Sequence, residues 1–176
     1  PRDPEYTRSS EAEKLGQSIE QCLENDGSVM IPLFAMGKTQ ETITMLYDLQ
    51  KAKKLRRLSF LIGGLSIKMT KIYDRFSNSV RRNHLGMKLM REKGLLSTPN
   101  SRGEIPQISK GNVYTLSSGM MTEKTLSNRL ARNFVTNPRN LIASVGYADP
   151  ESPLARVLEA ERGKSVKLDS NHDPVK

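Results

Sequence analysis

Apolar and polar positions along this chain follow two periods, helical and strand-like, that take turns. In the first stretch Ser10-Glu11-Ala12-Glu13 fits a capping box, and Leu15, Ile19, Cys22 and Leu23 then recur at helical spacing until Asn25-Asp26-Gly27 stops the run. This predicts a helix over about 9–25. Ser28 to Phe34 is a short apolar run between glycines, the pattern of a strand buried on both faces. Pro32 must lie at its end, because proline cannot donate into a ladder. Helical spacing returns from Gln40 to about residue 52, Leu58–Ile62 reads as a second buried strand, and Ser66–Phe76 as a third helix.

Residues 77–111 break the pattern, with many Arg, Lys, Gly, Ser and Asn and only scattered apolar positions. They predict an irregular basic excursion carrying a short helix at Leu85–Lys93. Order resumes with a strand at Asn112–Leu116, a helix at Glu123–Phe134, a strand at Asn140–Val145, a helix at Pro153–Glu161 and a last short strand at Ser165–Leu168. Strands separated by helices imply right-handed βαβ crossovers. The fold class is therefore α/β: a doubly wound, mainly parallel, Rossmann-like sheet with helices on both faces, in one domain over residues 1–176.

Composition changes this picture in two respects. The longest apolar runs fall far short of the roughly 20 residues a membrane helix needs, so no membrane partner is expected. A single cysteine, Cys22, has no disulfide partner, which favours a reducing, cytoplasmic setting. Charge adds a pointer: 28 Lys and Arg against 19 Asp and Glu give +9, the footprint expected of a protein that meets phosphate. The basic residues gather at Lys51, Lys53, Lys54, Arg56 and Arg57, and again at Arg81, Arg82, Lys88, Arg91 and Lys93. The first group also suits a helix C-terminus, where cations complement the dipole.

Ligands of such sheets bind beyond the carboxyl ends of the strands, where helix N-termini offer free N–H groups. Three segments are expected there. Gly37-Lys38-Thr39 mimics the end of a P-loop, but the glycine required five positions earlier is Pro32, which has no N–H. The plain alternative is a tight turn in which Gly37 takes a positive φ. Leu116-Ser117-Ser118-Gly119-Met120-Met121-Thr122 presents two hydroxyls and an unhindered glycine amide, a candidate phosphate cradle, against ordinary helix capping by Ser118 or Thr122. Asn137-Pro138-Arg139-Asn140 through Gly146-Tyr147 places an aromatic at a strand end, to stack on a base or simply to pack.

Taken together, the turn Pro32–Glu41, the Ser117–Met121 turn and the Arg139-Asn140 strand ending in Gly146-Tyr147 resemble the β-CASP family of RNA-processing nucleases in the metallo-β-lactamase superfamily. The resemblance covers about Ser9 to Leu158, with departures at Ser66 and at Ser152-Pro153-Leu154. It implies a cap inserted into a metallo-β-lactamase fold, with RNA passing through the cleft between the two. It also implies that Ser117, Ser118 and Gly119 bind an RNA phosphate; Lys38, Arg139 and Tyr147 complete the candidate contacts. The expected partners are single-stranded RNA, or DNA by the same chemistry, and the lactamase domain of the same parent.

The family's zinc chemistry needs a His-x-His-x-Asp-His cluster with further His and Asp. This chain has only His84 and His172, neither with a metal-spaced partner, so zinc is expected in the lactamase domain and no cofactor here. No catalytic residue is assigned, and the domain alone is expected to be inactive. The alternatives are a stand-alone Rossmann-like domain that binds a nucleotide or a protein, and a homodimer formed through the sheet edge and the excursion.

Overall fold

The computed structural model describes residues 7–80, 83–99 and 105–176. Helix α1 (Arg8–Glu24) begins earlier than the sequence pattern predicts, because the capping box is closed by Thr7. The Thr7 hydroxyl accepts the Ser10 N–H at 3.1 Å, and the Ser10 hydroxyl accepts the Thr7 N–H at 3.1 Å. Strand β1 (Val29–Pro32) follows, fully buried and ending at Pro32. Then come α2 (Lys38–Lys51), β2 (Phe60–Ile62) and α3 (Leu65–Arg75).

Within the excursion the expected Leu85–Lys93 helix shrinks to one 3₁₀ turn, Leu89–Arg91. Its first turn is tied to α3 instead, the Asp74 carboxylate accepting the Leu89 and Met90 N–H groups at 2.8 Å each. The excursion also supplies a strand the pattern misses, β3 (Leu96–Ser97), which pairs with β2. Arg81 and Arg82 lie outside the described residues.

Strand β4 (Val113–Leu116), α4 (Leu126–Phe134), β5 (Leu141–Ile142) and α5 (Pro153–Glu159) complete the order. Helix α4 starts three residues late because Met121 (φ 55°) and Lys124 (φ 66°) sit in the left-handed region, where a right-handed helix cannot begin. The expected strand at Ser165–Leu168 is a single antiparallel bridge, Val166 to Val175.

The five strands are all parallel, in the order β3-β2-β4-β1-β5. Side chains alternate across β1 as the two-residue period of a strand requires. Val29, Ile31 and Leu33 join Ile19, Ile43 and Leu46 of α1 and α2 on one face. Met30 joins Tyr114, Leu130, Phe134 and Leu154 on the other, where the Tyr114 and Phe134 rings meet edge to face at 6.0 Å. This is the doubly wound α/β arrangement the pattern implies. The edge strands β3 and β5 have two residues each, a short ladder for pairing with a second copy. No described helix is long and apolar enough to cross a membrane.

Candidate nucleic-acid interface

Because the strands are parallel, the loops after β1, β2 and β4 emerge on the same edge of the sheet, and they touch there. A Cβ on Gly119 would lie 2.8 Å from the Phe34 backbone nitrogen and from the Phe34 ring, so only glycine lets the β4–α4 loop close against the β1–α2 loop. A Cβ on Gly64 would lie 3.6 Å from Ser117 Oγ. The Thr39 hydroxyl meets the Ser66 hydroxyl at 3.3 Å, and Gln40 Nε2 donates to Thr70 Oγ1 at 2.9 Å. Ser66, a departure from the family pattern, is thus a buried tie between α2 and α3. Ser152, the other departure, caps α5 by accepting the Ala155 N–H at 3.1 Å ahead of Pro153.

In the β1–α2 loop, Gly37 has φ 80° and its N–H goes to Gln40 Oε1 at 2.9 Å. The Lys38 N–H goes to the Met36 carbonyl and the Thr39 N–H to the Phe34 carbonyl. Every amide of the P-loop-like tripeptide is therefore claimed by protein, and the turn offers no nest for a nucleotide phosphate. The Lys38 ammonium is exposed and shares Glu41 with Arg8, at 3.0 and 3.1 Å.

The β4–α4 loop is different. Its carbonyls turn back into the protein: Ser127 donates its N–H to the Ser117 carbonyl (3.1 Å) and its hydroxyl to the Ser118 carbonyl (2.8 Å). The Ser118 hydroxyl accepts the Thr122 N–H at 2.9 Å, which occupies one lone pair and leaves the hydroxyl proton to be donated. Among the described residues neither the Ser117 hydroxyl nor the Gly119 and Met120 N–H groups have an acceptor. Among the described residues this loop thus combines carbonyls that accept from the protein with donors that have no acceptor, the inventory a phosphate oxygen would use.

Tyr147 is 69% exposed in the loop that leaves the carboxyl end of β5. That loop borders a groove of about 520 Å³ lined by Lys38, Glu41, Ala143, Ser144, Val145 and Gly146, so it adjoins the start of α2. Ser117, Ser118, Gly119, Lys38 and the Tyr147 loop thus share one edge.

Arg139 does not join them. It precedes β5 and lies at the amino edge, its carbonyl beside Gly27 and its guanidinium 4.0 Å from Asp26. The segment expected wholly at the carboxyl ends straddles the sheet, one end of β5 at each edge. The first basic cluster also lies at the amino edge, at the end of α2, and two of its five cations pair with carboxylates. Lys54 pairs with Glu13 at 2.7 Å, Arg56 with Glu20 and Glu24, and Lys51 sits 5.1 Å over the Tyr47 ring.

The two histidines are each paired with a carboxylate, His84 with Asp48 at 3.0 Å and His172 with Asp169 at 2.6 Å. Hydrogen bonding to His172, with Arg132 and the Asn171 N–H, draws Asp169 from its ordinary 3.8 to about 2 against the opposing effect of burial. Among the described residues no three His, Cys, Asp or Glu side chains converge, so the donors present do not fit a zinc site.

Sequence reasoning missed the role of Met120, whose N–H joins the donor set, and of Gly64, which packs beside Ser117. A backbone donor carries no side-chain signal. The Gly63-Gly64 pair at a strand end was the readable hint for the second.

Comparison with known proteins bears on the family of the chain. The chain is 27% identical over its whole length to an RNase J-like protein of Methanocaldococcus jannaschii, spanning 41% of that protein. It is 24% identical over 96% of its length to cleavage and polyadenylation specificity factor subunit 3 of Dictyostelium discoideum, spanning 22% of it. The chain thus covers less than half the length of either relative. The Beta-Casp domain model matches residues 39–157, which take in α2 from Thr39 onward, the β2–α3 loop, the whole β4–α4 loop and the Tyr147 loop; the chain belongs to the β-CASP domain family.

Proposed function

We propose that this domain is the RNA-guiding cap of a zinc-dependent nuclease, inactive alone, in which the β4–α4 loop grips a backbone phosphate of single-stranded RNA. The observation that carries this reading is the set of donors without acceptors at the carboxyl edge: the Ser117 hydroxyl and the Gly119 and Met120 N–H groups. The Ser118 hydroxyl adds a fourth, Lys38 supplies charge nearby, and Tyr147 offers an exposed ring on which a base can stack. Arg139 has no part in this grip.

Hydrolysis belongs to a metallo-β-lactamase domain of the parent, which supplies zinc to activate water; this domain's share is to bind and orient the strand. The position of this loop supports the reading, since it follows β4 at the carboxyl ends of parallel strands, where ligands of such sheets bind.

The test is a titration of the chain with labelled single-stranded oligouridylate at several salt concentrations. Each phosphate neutralised should add about 0.7 to the slope of log affinity against log salt. Ser117→Ala should weaken binding with the slope unchanged, because a neutral donor is lost. Absent binding, or binding indifferent to salt, would remove the proposal.

A further inference from the structure

The Met121–Thr122 peptide is fixed from both sides. Its N–H is spent on the Ser118 hydroxyl at 2.9 Å, and its carbonyl accepts from Asn128 Nδ2 at 2.9 Å. Asn128 is 2% exposed, in the first turn of the amphipathic helix α4, and its second amide hydrogen goes to the Leu168 carbonyl at 2.8 Å. An asparagine amide group has two donors, and here both are used on backbone carbonyls from opposite directions.

The turn that carries Leu168 is itself anchored to the same stretch of chain. Asp169 accepts from Arg132 Nη1 at 2.9 Å, one helical turn beyond Asn128, and from the Asn171 N–H at 3.0 Å. The Ser170 N–H and hydroxyl both donate to the Glu123 carboxylate at 2.9 Å. Residues 168–172 are thus held by Glu123, Asn128 and Arg132, and among the described residues their hydrogen bonds lead toward Ser118 through Asn128 and the peptide it grips.

We propose that Asn128 is a positioning residue for the phosphate cradle: it aligns the Met121–Thr122 peptide, which orients the Ser118 hydroxyl, so that the remote turn at residues 168–172 governs phosphate affinity. The proposal rests on the phosphate reading of the β4–α4 loop. Its physical content is directional. With Thr122 N–H fixed on one lone pair, the Ser118 proton points away from α4, toward an incoming phosphate oxygen. A peptide plane free to rotate releases that lone pair, and the hydroxyl can then satisfy itself within the loop. Positioning of this kind is where displacements of an ångström cost one to two orders of magnitude in function.

The experiment uses the 176-residue chain with labelled oligouridylate as probe and the amide resonance of Thr122 as a second, RNA-free readout. Asn128→Asp keeps the shape but turns an oxygen toward two carbonyls. It should move the Thr122 and Gly119 amide resonances and weaken oligouridylate binding about tenfold. In a Ser118→Ala background the same substitution should add little further loss, because both changes remove one interaction. Glu123→Ala loosens the turn from the surface and should give smaller shifts of the same sign, which keeps the test open if Asn128→Asp fails to fold. Unmoved Thr122 resonances, or losses from Asn128→Asp and Ser118→Ala that simply add, overturn the proposal. If the unaltered chain binds no oligouridylate, the phosphate reading fails and the proposal with it, and the resonances then show whether the alignment itself survives.

Discussion

Gly119→Ala probes the contact between the β4–α4 and β1–α2 loops. The added Cβ would sit 2.8 Å from the Phe34 backbone nitrogen, 2.8 Å from one ring carbon of Phe34 and 3.1 Å from another. A ring that is 44% exposed can swing away, but a backbone nitrogen at the end of β1 cannot. Overpacking costs about 1–3 kcal/mol, and a backbone obstacle places this case in the upper half, at about 2–3 kcal/mol. For a chain of this size each kcal/mol lowers the melting temperature by about 2–4 °C, so the variant should melt about 4–12 °C lower. Phe34→Leu separates the two obstacles. Alone it should cost less than about 1 kcal/mol, since half of the ring is in water. Combined with Gly119→Ala it should restore no more than about half of the loss, because the nitrogen stays where it was. Urea unfolding followed by far-UV circular dichroism measures all three variants. Full rescue by Phe34→Leu would mean that the ring alone sets the contact, and an unchanged midpoint for Gly119→Ala would mean that the loops do not touch as described.

Three further outcomes follow from single groups. Ser77 is buried with no hydrogen-bond partner for its hydroxyl among the described residues, so Ser77→Ala should leave stability unchanged or raise it by up to about 1 kcal/mol, and a clear fall in the urea midpoint would contradict this. Burial pushes the Cys22 thiol up, with a hydrogen bond from the Leu141 backbone opposing, so iodoacetamide at about pH 8 should label the folded chain at least about tenfold more slowly than the urea-unfolded one. Asp169 titrates at about 2 in the fold and near its ordinary 3.8 when unfolded, so its contribution to stability is complete above about pH 4 and lost as pH falls toward 2. The stability gap between the unaltered chain and Asp169→Asn should therefore close over that interval, and a gap that is flat from pH 5 to about pH 2 would refute the assignment.

The layered sheet was readable because its strands are buried on both faces and its helices on one, which imprints runs and periods on the sequence. The runs at Val29–Pro32 and Val113–Leu116 are buried at every position, and both read correctly. Leu96–Ser97 was not readable: two half-buried residues in a basic stretch carry no period, and they become a strand only because β2 presents an open edge. The start of α4 was misjudged for a related reason. Its periodicity extends back to Glu123, but Lys124 sits at φ 66° and the Ser127 N–H goes to the Ser117 carbonyl rather than back to Glu123, so the first turn cannot form there. Arg139 shows the limit of adjacency in sequence. A two-residue strand separates it from the loop that carries Tyr147, yet that strand is enough to place it at the opposite edge.

The same distinction sorts the family motifs by what they do. In the turn Pro32–Glu41, Gly37 bends the chain, Thr39 and Gln40 bind the loop's own carbonyls, and Glu41 is shared by Arg8 and Lys38. Most of this turn's chemistry is spent on its own architecture, which makes it a strong marker of the family and a weak guide to contact with a ligand. A ligand can be bound only by polar groups that folding leaves unclaimed. In the described β4–α4 loop on the carboxyl edge those include the Ser117 hydroxyl and two backbone amides, with, in part, Lys38 nearby. Ser118 belongs to both classes, its lone pair committed to the loop and its proton still free, which is why a change at Asn128, buried behind it, should be felt by the strand of nucleic acid in front.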